Sequence, residues 1–176
     1  MWCALPKQSM VPHRRDFNPA RAASLLRHIM LIEMQLHAPP SFPVRIVGGA
    51  AVERIQRDLR GHDYLEFMLA EHHAGVVKSA KLMVDHPCGL WQVTPLHFAR
   101  GFAQSFEVTA FPLLGEPWPF ALALLVPREE FVRPVSPGDR LMLAGTAEEF
   151  EFLDVGAGAP GWPPDAMPMV EWRATN

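Results

Sequence analysis

Apolar residues near the start of the chain recur three and four apart at Ala22, Leu25, Leu26 and Ile29. That is helical spacing, and Asn18-Pro19 supplies a start: asparagine can cap free N–H groups, and proline is pre-set for the first helical position. The spacing predicts a helix from Pro19 to His28. The period then shortens to two. Met30, Ile32, Met34 and Leu36 alternate with Leu31, Glu33, Gln35 and His37, which predicts a strand with one buried face. Ala38-Pro39-Pro40-Ser41 reads as a turn, and Phe42 to Val47 as the returning strand of a hairpin that stops at Gly48-Gly49.

Helical spacing returns over Ala50 to Arg57, halted near Asp58 to Gly61, and again from Asp63 to Asp85. The longer stretch carries a stripe of Leu65, Leu69, Val76, Ala80 and Met83, with His72 in line, and His86-Pro87-Cys88-Gly89 ends it. Strands are then predicted over Leu90 to Phe98, Gln104 to Leu114 and Pro119 to Val126. The short connections Ala99-Arg100-Gly101 and Gly115-Glu116-Pro117 suit antiparallel hairpins. In the last strand Phe120, Leu122, Leu124 and Val126 alternate with Ala121, Ala123 and Leu125, so both faces are apolar and the strand is expected to be central. Pro95 and Pro112 interrupt two of the strands and predict a bulge or an edge position at each.

The expected architecture is α+β: a five-stranded antiparallel sheet with helices packed on one face, an N-terminal helix and an irregular C-terminal tail. Residues 1–18 read as an N-terminal extension, 19–130 as the domain, and 131–176 as a Pro/Gly-rich extension, since Gly156 to Pro168 shows no period.

Composition narrows the class. At 176 residues and 49% hydrophobic the chain can bury a core, and a net charge of -3 without a Lys/Arg block argues against nucleic acid as a partner. Cys3 and Cys88 lie too far apart for a metal pair or a disulfide framework. No stretch approaches the roughly 20 apolar residues needed to span a bilayer. Without an N-terminal apolar run of leader type, a cytoplasmic location away from membranes is expected.

Several segments together resemble a family. Pro12-His13-Arg14-Arg15-Asp16-Phe17-Asn18-Pro19 is similar to a Pro-Arg-Arg-Ser-Asp-x-x-Pro signature, and Ser24-Leu25-Leu26-Arg27-His28 to the Leu-rich helix that follows it. Val44-Arg45-Ile46-Val47-Gly48-Gly49 resembles a Tyr-Arg-hydrophobic-x-Gly-Thr strand, and Gln56-Arg57-Asp58-Leu59-Arg60-Gly61 a Gly-x-Asp-Leu-Thr-Gly turn. Phe111-Pro112-Leu113 matches a late Leu-Pro-Leu strand. Order and spacing resemble the bacterial PAS_5 group of PAS-like sensor domains, over about Pro12 to Val126. The resemblance implies the PAS fold and a regulatory role. Val44, Gly49, Gln56 and Arg60 depart from the family's usual residues.

The expected function is a stand-alone sensory or regulatory domain that binds a small apolar or amphipathic molecule, or a protein partner, and signals by protein contact. The N-terminal helix is the expected element of a homodimer. A ligand-free structural interaction module and a small hot-dog-like enzyme are the alternatives. No Gly-x-Ser-x-Gly, phosphate-binding Gly-rich loop or His-Glu-x-x-His occurs, so no enzyme is expected. Pocket candidates are Val47, Tyr64, Met68, His72, Trp91, Phe106, Val108 and Leu122. His72 and His73 point about 100° apart on a helix and cannot chelate one metal as a pair. Asp85, His86 and Cys88 are explained as a helix stop. Cys88 lacks the position of a flavin-adduct thiol, and neither haem nor flavin is supported.

Overall fold

The structure, a computed structural model, describes residues 2–7, 9–18, 22–128, 136 and 138–160. Its helices are α1 (Ala23–Leu26), α2 (Gly49–Ile55) and α3 (Ala70–Asp85). Its strands are β1 (Ile29–Glu33), β2 (Val44–Val47), β3 (Cys88–Phe98), β4 (Ala103–Leu113), β5 (Phe120–Pro127), β6 (Leu141–Ala144) and β7 (Glu149–Asp154). All seven strands form one antiparallel sheet in the order β2-β1-β5-β4-β3-β6, with β7 also on β3. The hairpin and the three-strand meander therefore join through β1 and β5, and β5 is central as its two apolar faces require.

Three expectations about extent are corrected. Among the described residues the sheet has seven strands and not five: β6 and β7 lie in the stretch read as an irregular tail. They run in line along the free edge of β3, at Phe98 to Leu96 and then at Val93 to Cys88, and so cover an edge that would otherwise present unpaired peptide groups. The described part of the N-terminal helix is four residues long, and residues 19–21 of the expected helix lie outside the described residues. The long helix from Asp63 is likewise split, into a 3-10 turn at Tyr64–Phe67 and then α3, with extended backbone at Met68 and Leu69 between them.

Both prolines sit where a missing N–H costs least. Pro95 accepts a hydrogen bond from Gly145 N at 2.8 Å, so its donor-less edge faces the interruption between β6 and β7. Pro112 lies past the Leu90–Ala110 pair that ends the β3 ladder, and its carbonyl accepts the Trp2 indole N–H at 2.8 Å.

The sheet has an inner and an outer face. On the inner face Met30, Ile32, Val44, Phe106, Val108, Ala123, Leu125 and Phe152 form one core with Ala51, Ile55, Phe67, Ala80 and Met83 from the helical cover. On the outer face Trp2 packs with Ile29, Leu31, Leu113, Phe120 and Leu122. This explains why all five residues of β1 are buried, where the alternation suggested one buried face. The N-terminal segment lies across the other side, with Trp2 stacked on Phe111 at 5.3 Å. Burying a side chain of that size is worth roughly 2–3 kcal/mol.

Candidate functional site

Between the inner face and its cover lies a cavity of about 110 Å³, with a smaller void of about 30 Å³ sharing part of its wall. The floor comes from register. Leu90 pairs with Ala110, Gln92 with Val108, and Ala110 in turn with Ala123, so these side chains share a face. Alanine at 110, 121 and 123 leaves room in the middle of the sheet that larger residues would fill. The roof is Tyr64, Met68 and the Val76–Ala80–Met83 side of α3.

Asp63 fixes the roof. Its carboxylate accepts from Leu65 N at 2.9 Å and caps the 3-10 turn that carries Tyr64, while Glu66 reaches back to Asp63 N. The same carboxylate accepts from the Ser41 hydroxyl at 2.6 Å and Phe42 N at 3.1 Å, tying the turn to the first hairpin. The interruption between β6 and β7 forms the wall on the β3 side. Gly145 and Ala147 line the cavity there, and Thr146 between them bonds His72 Nε2 at 3.0 Å. Gly145 is held to Pro95 O, and Glu148 N donates to Val93 O at 2.7 Å.

The lining is apolar in the main, with four methionines, Met30, Met34, Met68 and Met83. Among the described residues it contains no Asp, Glu, Lys, Arg or His. Three polar side chains border both voids: Tyr64, Gln92 and Thr94. The Thr94 hydroxyl is buried and has no hydrogen-bond partner. The half-buried Tyr64 and Gln92 bring a hydroxyl and an amide to the same wall. Burial pushes the Tyr64 phenol up, so it stays a neutral donor. A buried hydroxyl left unpaired costs about 1–3 kcal/mol, a cost that an incoming polar group would relieve.

Of the eight candidates from the sequence, Tyr64, Met68 and Val108 line the cavity. Val47 and Phe106 are buried in the inner core beside it. His72, 6% exposed, sits behind the wall on Thr146. Trp91 and Leu122 lie on the opposite face, because Trp91 pairs with Thr109 and Leu122 with Phe111 and Leu31, out of phase with the lining residues. Reasoning from the sequence found Met68 but missed Gln92, Thr94 and the other three methionines of the wall, Met30, Met34 and Met83. The methionines were visible as Met30 and Met34 two positions on either side of Ile32 and Met83 on the α3 stripe, but which face enclosed space was not.

Other clusters have local partners. Asp58 accepts from Arg60 N and Nε, both at 3.0 Å, and the Arg60 guanidinium holds its carboxyl down at about 2. His73 bonds Leu65 O and His86 bonds Gly158 O, each at 3.0 Å. Among the described residues no group of three His, Cys, Asp or Glu side chains is placed to hold a metal ion, and no helix is long and apolar enough to cross a membrane.

The segments that carried the resemblance also meet in space. Leu114 N donates to Pro12 O at 2.9 Å and Arg14 N donates to Leu114 O at 2.8 Å, so the first signature lies against the end of the Phe111-Pro112-Leu113 strand. The PAS_5 family of PAS domains matches residues 1–117. The chain belongs to this family. The matched stretch ends before β5, so the central strand and the β6–β7 edge complete the PAS sheet from residues beyond it. In this PAS domain the family's glycine before Asp-Leu corresponds to Gln56, the C-cap of α2, whose φ of 49° is left-handed backbone that glycine adopts at least cost. No curated protein matches the sequence. Membership gives the domain a sensory or regulatory character.

Proposed function

We propose that this PAS domain binds a small apolar or amphipathic molecule in the cavity under α3 and converts its occupancy into a protein–protein contact. One observation carries the reading: an apolar cavity walled by adaptable methionines retains a buried hydroxyl with no partner. A wall evolved only to pack would close on such a group or pair it. The output runs through the β6–β7 interruption. Its Gly145 and Ala147 touch the cavity, its Thr146 is bonded to His72 on α3, and Ala144 bridges to Met68 beside the roof. A ligand that lifts α3 therefore disturbs the edge of the sheet. The receiver is another protein, a second copy of the chain being the simplest case, and the role is regulatory and not catalytic.

Toluene is a suitable first probe, because one ring matches the void. The wild-type protein should melt at a higher temperature in saturating toluene, whereas Ala80→Leu, which fills the cavity from α3, should show no such shift. Equal shifts in the two proteins, or none in the wild type, would leave a filled interaction module as the better description.

A further inference from the structure

We propose that the natural occupant is a neutral, single-ring aromatic compound carrying one hydrogen-bonding group, its ring against the methionines and its polar group at Tyr64, Gln92 and Thr94. This rests on the cavity being a binding site, and adds what that site selects. Size sets the first limit. The two voids, about 110 Å³ and about 30 Å³, together resemble the roughly 150 Å³ cavity that admits one benzene ring. Charge sets the second. With no ionised side chain in the described lining, a carboxylate or ammonium would be buried without a counter-charge and is rejected.

The wall then favours a ring over an aliphatic group of equal volume. Met30, Met34, Met68 and Met83 offer polarizable sulfur, which makes favourable contacts with aromatic edges and shifts rotamer easily to fit a flat guest. The polar groups decide where the ring's substituent goes. Tyr64, Gln92 and Thr94 border both voids, so they mark the junction between them, and the buried Thr94 hydroxyl has no partner among the described residues. A hydroxyl at that junction can both donate, to the Gln92 carbonyl oxygen, and accept, from the Tyr64 or Thr94 hydroxyl. A purely apolar guest leaves the Thr94 hydroxyl unsatisfied.

The test is calorimetric titration of the full chain with four probes of similar size: p-cresol, toluene, 4-methylcyclohexanol and 4-methylbenzoate. We expect p-cresol to bind about tenfold more tightly than toluene, the worth of one good buried hydrogen bond. It should also exceed 4-methylcyclohexanol, and 4-methylbenzoate should not bind. In Thr94→Val and in Tyr64→Phe the p-cresol-to-toluene affinity ratio should fall toward one; the two variants alter different elements, so a folding failure in one leaves the other. Toluene binding as well as p-cresol, 4-methylcyclohexanol matching p-cresol, or 4-methylbenzoate binding best would each overturn the inference while leaving the cavity a binding site. If no probe binds, the binding reading itself fails as well.

Discussion

Cys88 begins β3 with no exposed surface, and burial pushes its thiol up to about 11. At neutral pH it is a thiol and not a thiolate, so it is a packing residue in the native state. Native protein should therefore show one fast-reacting cysteine, Cys3, which is exposed, and a second only after unfolding in denaturant. Two fast thiols in the native protein would contradict the burial of β3. Glu33, at the end of β1, accepts from Arg45 Nε at 2.8 Å and from Gln35 Nε2 at 2.7 Å. The Arg45 hydrogen bond, against the opposing effect of burial, holds its carboxyl below the usual 4.5. The unfolded chain then binds the proton more readily, so this contribution is present in full above about pH 4.5 and is lost as pH falls through the lower folded value. Because the Arg45 side chain is 46% exposed, solvent limits the effect to about 0.5–1 kcal/mol. Glu33→Gln should lose that much in urea unfolding at neutral pH and approach wild type in acid. A difference that does not shrink in acid would assign the loss to packing.

The step from β2 into α2 shows two neighbouring glycines with opposite tolerances. A Cβ on Gly48 would stand 2.2 Å from Leu26 O and 2.4 Å from the Arg27 carbonyl carbon, both backbone atoms that cannot swing away. A Cβ on Gly49 meets nothing within 4 Å. Gly48→Ala should cost about 3 kcal/mol in denaturant unfolding, while Gly49→Ala should fall within about 0.5 kcal/mol of wild type or above it. Similar losses for both would mean that the close approach of α1 to this turn is wrong. Gln56 ends α2 in left-handed backbone, so Gln56→Gly should stabilise the protein by about 0.5–1 kcal/mol. The paired glycines were legible in the sequence because a strand running into GG before a helix has few other meanings. The central place of β5 was legible for a similar reason, since the run from Phe120 is apolar on both faces. The β7 alternation Glu149-Phe150-Glu151-Phe152 was present too, with an apolar half that packs inward, yet it lies inside the stretch read as a Pro/Gly-rich extension. Face assignment was the deeper obstacle. Where both faces of a strand are buried, as in β1 and β5, alternation cannot tell Leu122 from Ala123, and only register places one outside and the other at the cavity.

Across the molecule the sheet divides labour between its faces. On the outer face Trp2, Leu5 and Phe17 of the N-terminal segment pack against β1, β4 and β5. The inner face encloses a cavity over Ala110, Ala121 and Ala123, where the buried Thr94 hydroxyl has no partner among the described residues. In the proposed reading the inner face is the sensing side, and the β6–β7 edge is joined to α3 through Thr146 and His72. The methionines give this claim a direct readout, since the sequence holds nine and four of them line the cavity. In a protein labelled with ¹³C at the methionine methyl groups, adding p-cresol should move the NMR signals of Met30, Met34, Met68 and Met83. Those of Met10 and Met142, which are exposed, should stay in place. Movement confined to Met10 and Met142, or no movement at all, would contradict a ligand cavity between the sheet and α3.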